Sequence, residues 1–81
     1  MAAISLDRLV KELEKLKEEM DAGRLRHGEY DQRLARVIQE LRELGLDADR
    51  SQMHATLEDL LRRGIITTSV KQHLEKRLGV S

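Results

Sequence analysis

Two runs of apolar residues at alternating three- and four-residue steps, separated by a glycine, restrict this chain to helices packed on helices. Leu6, Leu9, Leu13, Leu16 and Met20 make the first run, and Tyr30, Leu34, Val37, Leu41 and Leu44 the second. Gly23 stands just past the first run, where a glycine best adopts the left-handed conformation that ends a helix. The spacing predicts a helical hairpin over residues 5–44. Ser5 is its N-cap, and Asp7 places a carboxylate at the positive end of the helix dipole. Leu25 is positioned to plug the open end of the hairpin, Gly28, Glu29 and Asp31 begin the second helix, and Gly45 stops it. Ile38 beside Val37 widens the second stripe, so this helix is expected to touch two neighbours and lie at the centre of a bundle.

The rest of the chain reads as a second hairpin over residues 49–79. Asp49 and Gln52 have the spacing of a capping box, which starts a third helix near Arg50. Met53, Thr56, Leu57, Leu60 and Leu61 form its inner face, and Gly64 stops it. Thr67 or Thr68 caps a fourth helix, whose stripe of Val70, Leu74 and Leu78 runs to Gly79. Leu46, Asp47 and Ala48 are too short a connection to separate domains, so residues 1–81 form one all-α, four-helix domain built from two hairpins. The halves also repeat loosely. Leu57, Leu61, Gly64 and Ile66 match Leu16, Met20, Gly23 and Leu25 at a constant offset, until Lys71 falls opposite Tyr30.

Composition then bounds what such a bundle can do. Tyr30 is the only aromatic residue in 81, so the core is built from Leu, Ile, Val and Met, and a chain of this size buries a thin core with no large ligand cavity. Thin cores favour association. With Leu6, Leu13 and Met20 at a positions and Leu9 and Leu16 at d positions, Glu12 and Lys17 have the g-to-e spacing of an interhelical ion pair. Leu6, Leu9, Leu13, Leu16 and Met20 are therefore a candidate self-association surface, toward a second copy or another helical protein. The same stripe also suits the core face of a bundle helix.

Fifteen basic and fifteen acidic residues balance, but residues 1–49 carry nine and twelve, and residues 50–81 carry six and three. Only the C-terminal part invites a polyanion. The lack of cysteine excludes disulfides, thiolate zinc sites and thiol catalysis, and fits a reducing compartment, with the cytoplasm as the expected location. Met1 to Val10 lacks the pattern of a signal peptide, and no segment approaches the roughly 20 apolar residues of a membrane span, so no membrane partner is expected.

Chemistry-bearing motifs are sparse. There is no glycine-rich phosphate loop and no nucleophile motif, so the chain reads as a non-enzyme without a cofactor. His54 and Glu58, at i and i+4, have metal-ligand spacing with His73 as a third donor, a spacing that surface residues also reach by chance. His27 beside Glu29 and Asp31 reads as a helix N-terminal environment, and the charges from Lys11 to Glu19 as the solvated face of the first helix, with Glu14 and Glu18 each placed to pair along it.

Leu16, Met20, Asp21, Gly23, Leu25, Glu29, Tyr30 and Leu34 resemble the short C-terminal (SHOCT) family, a Leu-rich helix and acidic-x-Gly turn followed by Glu-Tyr or Glu-Phe opening a second helix. The resemblance spans residues 13–41, with Arg26 in place of the family's capping Thr or Ser. It implies a helical hairpin used in oligomerisation or binding and no catalytic residues. Residues 60–74 are also similar to a helix-turn-helix, with Gly64-Ile65 as the turn and Thr67 onward as the recognition helix. Bulky Leu60 and charged Arg63 stand where that motif buries small or apolar residues. The expected function is accordingly a non-enzymatic oligomerisation or adaptor module. The runner-up is a small DNA-binding regulator using residues 57–78, with Arg62, Arg63, Thr68, Ser69, Lys71, Gln72 and Arg77 as its contacts.

Overall fold

Local signals at the helix ends decide where this chain bends. The computed structural model describes residues 3–26 and 28–79. Helix α1 spans Leu6–Asp21 and begins at Ser5, whose Oγ accepts the Arg8 N–H at 3.2 Å. Ile4, before that cap, and Leu9, in the first turns, are both buried, as in a hydrophobic staple. Helix α2 spans Glu29–Leu44 and starts from Gly28 without a side-chain cap; the Glu29 Oε1 instead accepts the Arg26 N–H at 2.8 Å. Helix α3, Arg50–Arg62, opens with both halves of the expected capping box: Gln52 N–H donates to Asp49 Oδ1 at 2.7 Å and Asp49 N–H to Gln52 Oε1 at 2.9 Å. In helix α4, Thr68–Leu78, the choice between the two threonines falls on Thr67, which accepts the Val70 N–H at 3.2 Å.

The C-terminal ends of α1 and α3 are built alike. Gly23 and Gly64 take φ of 72° and 76°. Their N–H groups reach back to Met20 and Leu61 at 3.1 Å, and the next N–H groups, of Arg24 and Ile65, reach Glu19 at 3.0 Å and Leu60 at 2.9 Å. Each turn thus satisfies two orphan carbonyls in a Schellman motif, which requires a residue that tolerates the left-handed region. This is the three-dimensional counterpart of the loose sequence repeat.

The four helices close a ring. α1 packs on α2 and α3, and α4 packs on α2 and α3. Leu9, Leu13 and Leu16 of α1, Leu34, Ile38 and Leu41 of α2, Met53, Leu57 and Leu60 of α3, and Leu74 of α4 meet in its middle, with Ile66 from the second turn. Burial of each such side chain stabilises by about 2 kcal/mol before entropy is counted. α2 touches two neighbours, α1 and α4, as its wide stripe predicted, but so does every other helix of the ring, and α2 is not a central one; Val37 is half-buried against the core.

One feature departs from a purely helical chain. Ile4–Ser5 (β1) and Leu46–Asp47 (β2) pair as short parallel strands, Ile4 against Leu46, and the Ile4 N–H donates to Gly45 O at 2.9 Å. What read as a plain connection after α2 is the clamp that holds the start of α1. The all-α, two-hairpin architecture stands around it. No helix among the described residues is long and apolar enough to cross a membrane.

Candidate functional site

Packing sorts the residues singled out in the sequence into three places. Leu9, Leu13 and Leu16 lie inside the ring, no more than 3% exposed, with Leu6 half-buried and Met20 exposed at 44%. The a/d stripe is satisfied by α2 and α3 of the same chain. While the bundle is closed, a second copy reaches Met20 and the edge of Leu6 but not the seam between them. The supposed g and e partners do not face outward together either: Glu12 borders the α1/α2 groove, and Lys17 donates to Asp21 at 2.9 Å along its own helix. Glu14 likewise reaches across to Arg63 of α3 instead of pairing along its own helix.

The second place is a polar contact between α3 and α4. Lys71 Nζ lies 3.1 Å from Glu58 Oε1 and 3.4 Å from Glu75 Oε1, and its side chain is only 16% exposed. The hydrogen bond to Glu58 raises the Lys71 pKa above its ordinary value, reinforced by Glu75 and opposed by desolvation. Glu75 is buried, and its Oε2 lies 3.0 Å from His54 Nδ1. His54 thus turns to Glu75, one helix away, and Glu58 is engaged by Lys71. His73 sits on the exposed side of α4. The proposed donors His54, Glu58 and His73 therefore do not converge, and no group of three metal-capable side chains occurs among the described residues. His27 lies outside the described residues. Arg63 is also engaged: its guanidinium bonds Glu14 of α1 at 3.0 Å and Asp59 of its own helix at 3.1 Å. The Glu14 bond is the main reason its pKa is raised.

The third place is the α2/α4 side of the ring. Ser69, Gln72, His73 and Lys76 lie at helical spacing on the exposed face of α4, with Thr68 exposed at its start and Arg77 turned toward α2. Arg77 and Arg42 together border three adjoining depressions. One is floored by Ala35 and Ile38, one by Leu46 and Leu78, and one is completed by His73 and Lys76. Of the DNA contacts expected from sequence, Arg77 thus joins a groove, Thr68, Ser69 and Gln72 share the exposed side of α4, and Arg62 is exposed on α3. Lys71 and Arg63 are tied to carboxylates.

Sequence reasoning missed Arg42, because only the packing of α2 on α4 brings it beside Arg77, 35 positions later. It missed Glu75 too, although the i,i+4 spacing from Lys71 was a usable signal. No protein-family model, curated protein or solved structure matches the chain.

Proposed function

We propose that the protein is a non-enzymatic helical module that works by protein–protein contact, as an adaptor or oligomerisation element. The observation that carries this reading is the neutralisation of Lys71 and Arg63. Five cations, Arg62, Arg63, Lys71, Lys76 and Arg77, would have to supply the phosphate contacts of a DNA-binding α4, and two of them are already committed to Glu58, Glu75, Glu14 and Asp59. The resemblance of residues 13–41 to the SHOCT-like hairpin points the same way. Self-association through Leu9, Leu13 and Leu16 requires exchange of helices between copies, since those side chains are inside the closed ring.

DNA binding is the second reading. It rests on the shared exposure of Ser69, Gln72, His73 and Lys76 along one face of α4 and on the helix-turn-helix-like residues 60–74. A titration of a short duplex at low salt, with light-scattering mass measured alongside, separates the two. The adaptor reading expects no complex even at about 100 µM, where non-specific basic domains already bind. A complex whose affinity falls steeply with salt, with a slope reduced by roughly one on replacing Lys76, would overturn it.

A further inference from the structure

We infer that the outer faces of the two hairpins are complementary stacking surfaces for a second copy of this chain, held shut by the polar pairs Glu19–Arg33 and His54–Glu75. The inference does not depend on the adaptor reading. The hairpins meet equivalent helix on equivalent helix, α1 against α3 and α2 against α4, yet the offset that carries Gly23 onto Gly64 does not carry core onto core. Leu60 and Leu74, both fully buried, stand where the first hairpin has Glu19 and Arg33 bordering the outer α1/α2 groove, and buried Met53 stands where it has exposed Glu12. The exchange runs the other way too. Buried Leu13 and Leu34 correspond to His54 and Glu75, and half-buried Tyr30 to Lys71. A contact of two-fold type would put the same face of both hairpins inside. Here opposite faces meet, so the hairpins are stacked head to tail, and one unused copy of each face is left at the two ends.

What stands at those ends follows from the same correspondence. Arg33 donates to Glu19 and so bridges α2 and α1 at the positions of Leu74 and Leu60. His54 Nδ1, 3.0 Å from Glu75 Oε2, bridges α3 and α4 at the positions of Leu13 and Leu34. Each end thus carries a polar bridge across its hairpin at the two places where the internal contact uses one leucine from each helix. Lys71, 3.1 Å from Glu58 and 3.4 Å from Glu75, adds a second bridge at the α3/α4 end. Bringing two such ends together strips water from groups that are already paired, a desolvation cost with no leucine contact to offset it. Stacked helical units need polar outer faces on their terminal members, and here both terminal faces have them.

The test gives each end the residues of the other hairpin. One variant carries Glu12→Met, Glu19→Leu and Arg33→Leu, which opens the α1/α2 end; another carries His54→Leu, Lys71→Tyr and Glu75→Leu, which opens the α3/α4 end. A third, Gln32→Leu, Gln39→Leu and Glu43→Leu, adds as many apolar side chains at exposed positions of α2 outside the α1/α2 groove. Light-scattering mass is read for each variant alone and for mixtures, with urea unfolding of each at low concentration. The two end variants mixed one to one should form a heterodimer of twice 9.4 kDa, about tenfold tighter than either associates with itself. A chain carrying all six end substitutions should assemble beyond the dimer, as a head-to-tail contact allows. Each end variant alone should stay folded to at least the wild-type urea midpoint, since exchanging a bridging pair for apolar residues is often neutral or stabilising. Self-association of an end variant as tight as the mixture, or equal association of the third variant, would mean undirected stickiness and overturn the assignment. Stably folded end variants that do not associate when mixed would overturn it as well. An end variant that unfolds would show that its polar pair holds the hairpin together, and the pair would no longer be a seal.

Discussion

The two hairpin turns begin identically and then diverge. Gly23 and Gly64 have nearly the same φ and the same pair of back-bonds, yet only the second turn continues into the core. There Ile65 stands over the carbonyl of Leu60, the apolar pairing that often accompanies a Schellman motif, and Ile66 is buried at 3%. The first turn offers Arg24 over Glu19 in those places, and Leu25 is only half-buried. Thr67 then caps α4 at once, whereas α2 waits until Gly28 and starts with no capping side chain. A shared backbone device is therefore compatible with one firmly anchored turn and one loosely anchored turn. Side chains just beyond the glycine make the difference.

The largest expected effect tests that anchoring directly. Ile66→Ala should cost about 3 kcal/mol, as for a large-to-small change in a closed core, and Leu25→Ala about 1 kcal/mol because much of its surface already meets water. Denaturant unfolding of the two variants provides the comparison; equal losses would mean that the first turn is held as firmly as the second.

Next come the glycines, where the two turns should agree. No atom lies within 4 Å of a β-carbon built at either Gly23 or Gly64, so the cost of substitution is backbone strain alone. Gly23→Val and Gly64→Val should each lower stability by about 1–2 kcal/mol. Thermal melts giving no loss at Gly23 would mean that α1 can run on through the turn, and the first hairpin would have to be redrawn.

A smaller difference lies in the caps. Thr67→Ala removes an N-cap acceptor and should cost about 1 kcal/mol, while Glu29→Ala, which removes only an exposed bond to the Arg26 N–H, should stay within about 0.5 kcal/mol. Matched midpoints for the two variants would show that Glu29 serves α2 as well as a true N-cap serves α4.

These contrasts also explain what could be read in advance. Helix ends were legible because Ser5, Asp49 with Gln52, Thr67, Gly23 and Gly64 act on backbone groups within a few residues of themselves. Pairing of Ile4 with Leu46 was not, since two-residue strands are too short to show alternation and the partners are brought together by the length of the whole first hairpin. The stripe of α1 was read correctly as apolar but left its partner open. A Leu9, Leu13, Leu16 seam has the same spacing whether it meets its own chain or another, and ring closure by α2 and α3 is a property of all four helices together. The meeting of Arg42 with Arg77 depends on that closure as well. Lys71 reads from sequence as a DNA contact although Glu75 stands at i+4, and its closer carboxylate, Glu58, comes from α3, which local spacing does not show.

The smallest effect is a pH dependence that compares the positions where the repeat fails. Tyr30 and Lys71 occupy equivalent places after their glycines, and the fold raises the pKa of both by different means. Burial is the main cause at Tyr30, with Asp31 adding to it and Lys17 opposing it; at Lys71 the main cause is the hydrogen bond to Glu58. A folded value above the unfolded one means that the folded state holds the proton more tightly. The associated stability is fully present below the unfolded values of 10.0 and 10.5 and is lost as pH rises through the folded ones. Stability measured by urea unfolding should therefore be level near pH 8 and fall above roughly pH 10. Tyr30→Phe should make that fall shallower by removing the buried phenol, and Lys71→Met should do so by removing the ammonium that Glu58 holds. The double variant should be the flattest. Arg63 does not contribute, because a guanidinium stays charged across this range. A wild-type profile that stays level through pH 11, or a double variant that falls as steeply as the wild type, would mean that neither equivalent position is coupled to folding through its proton.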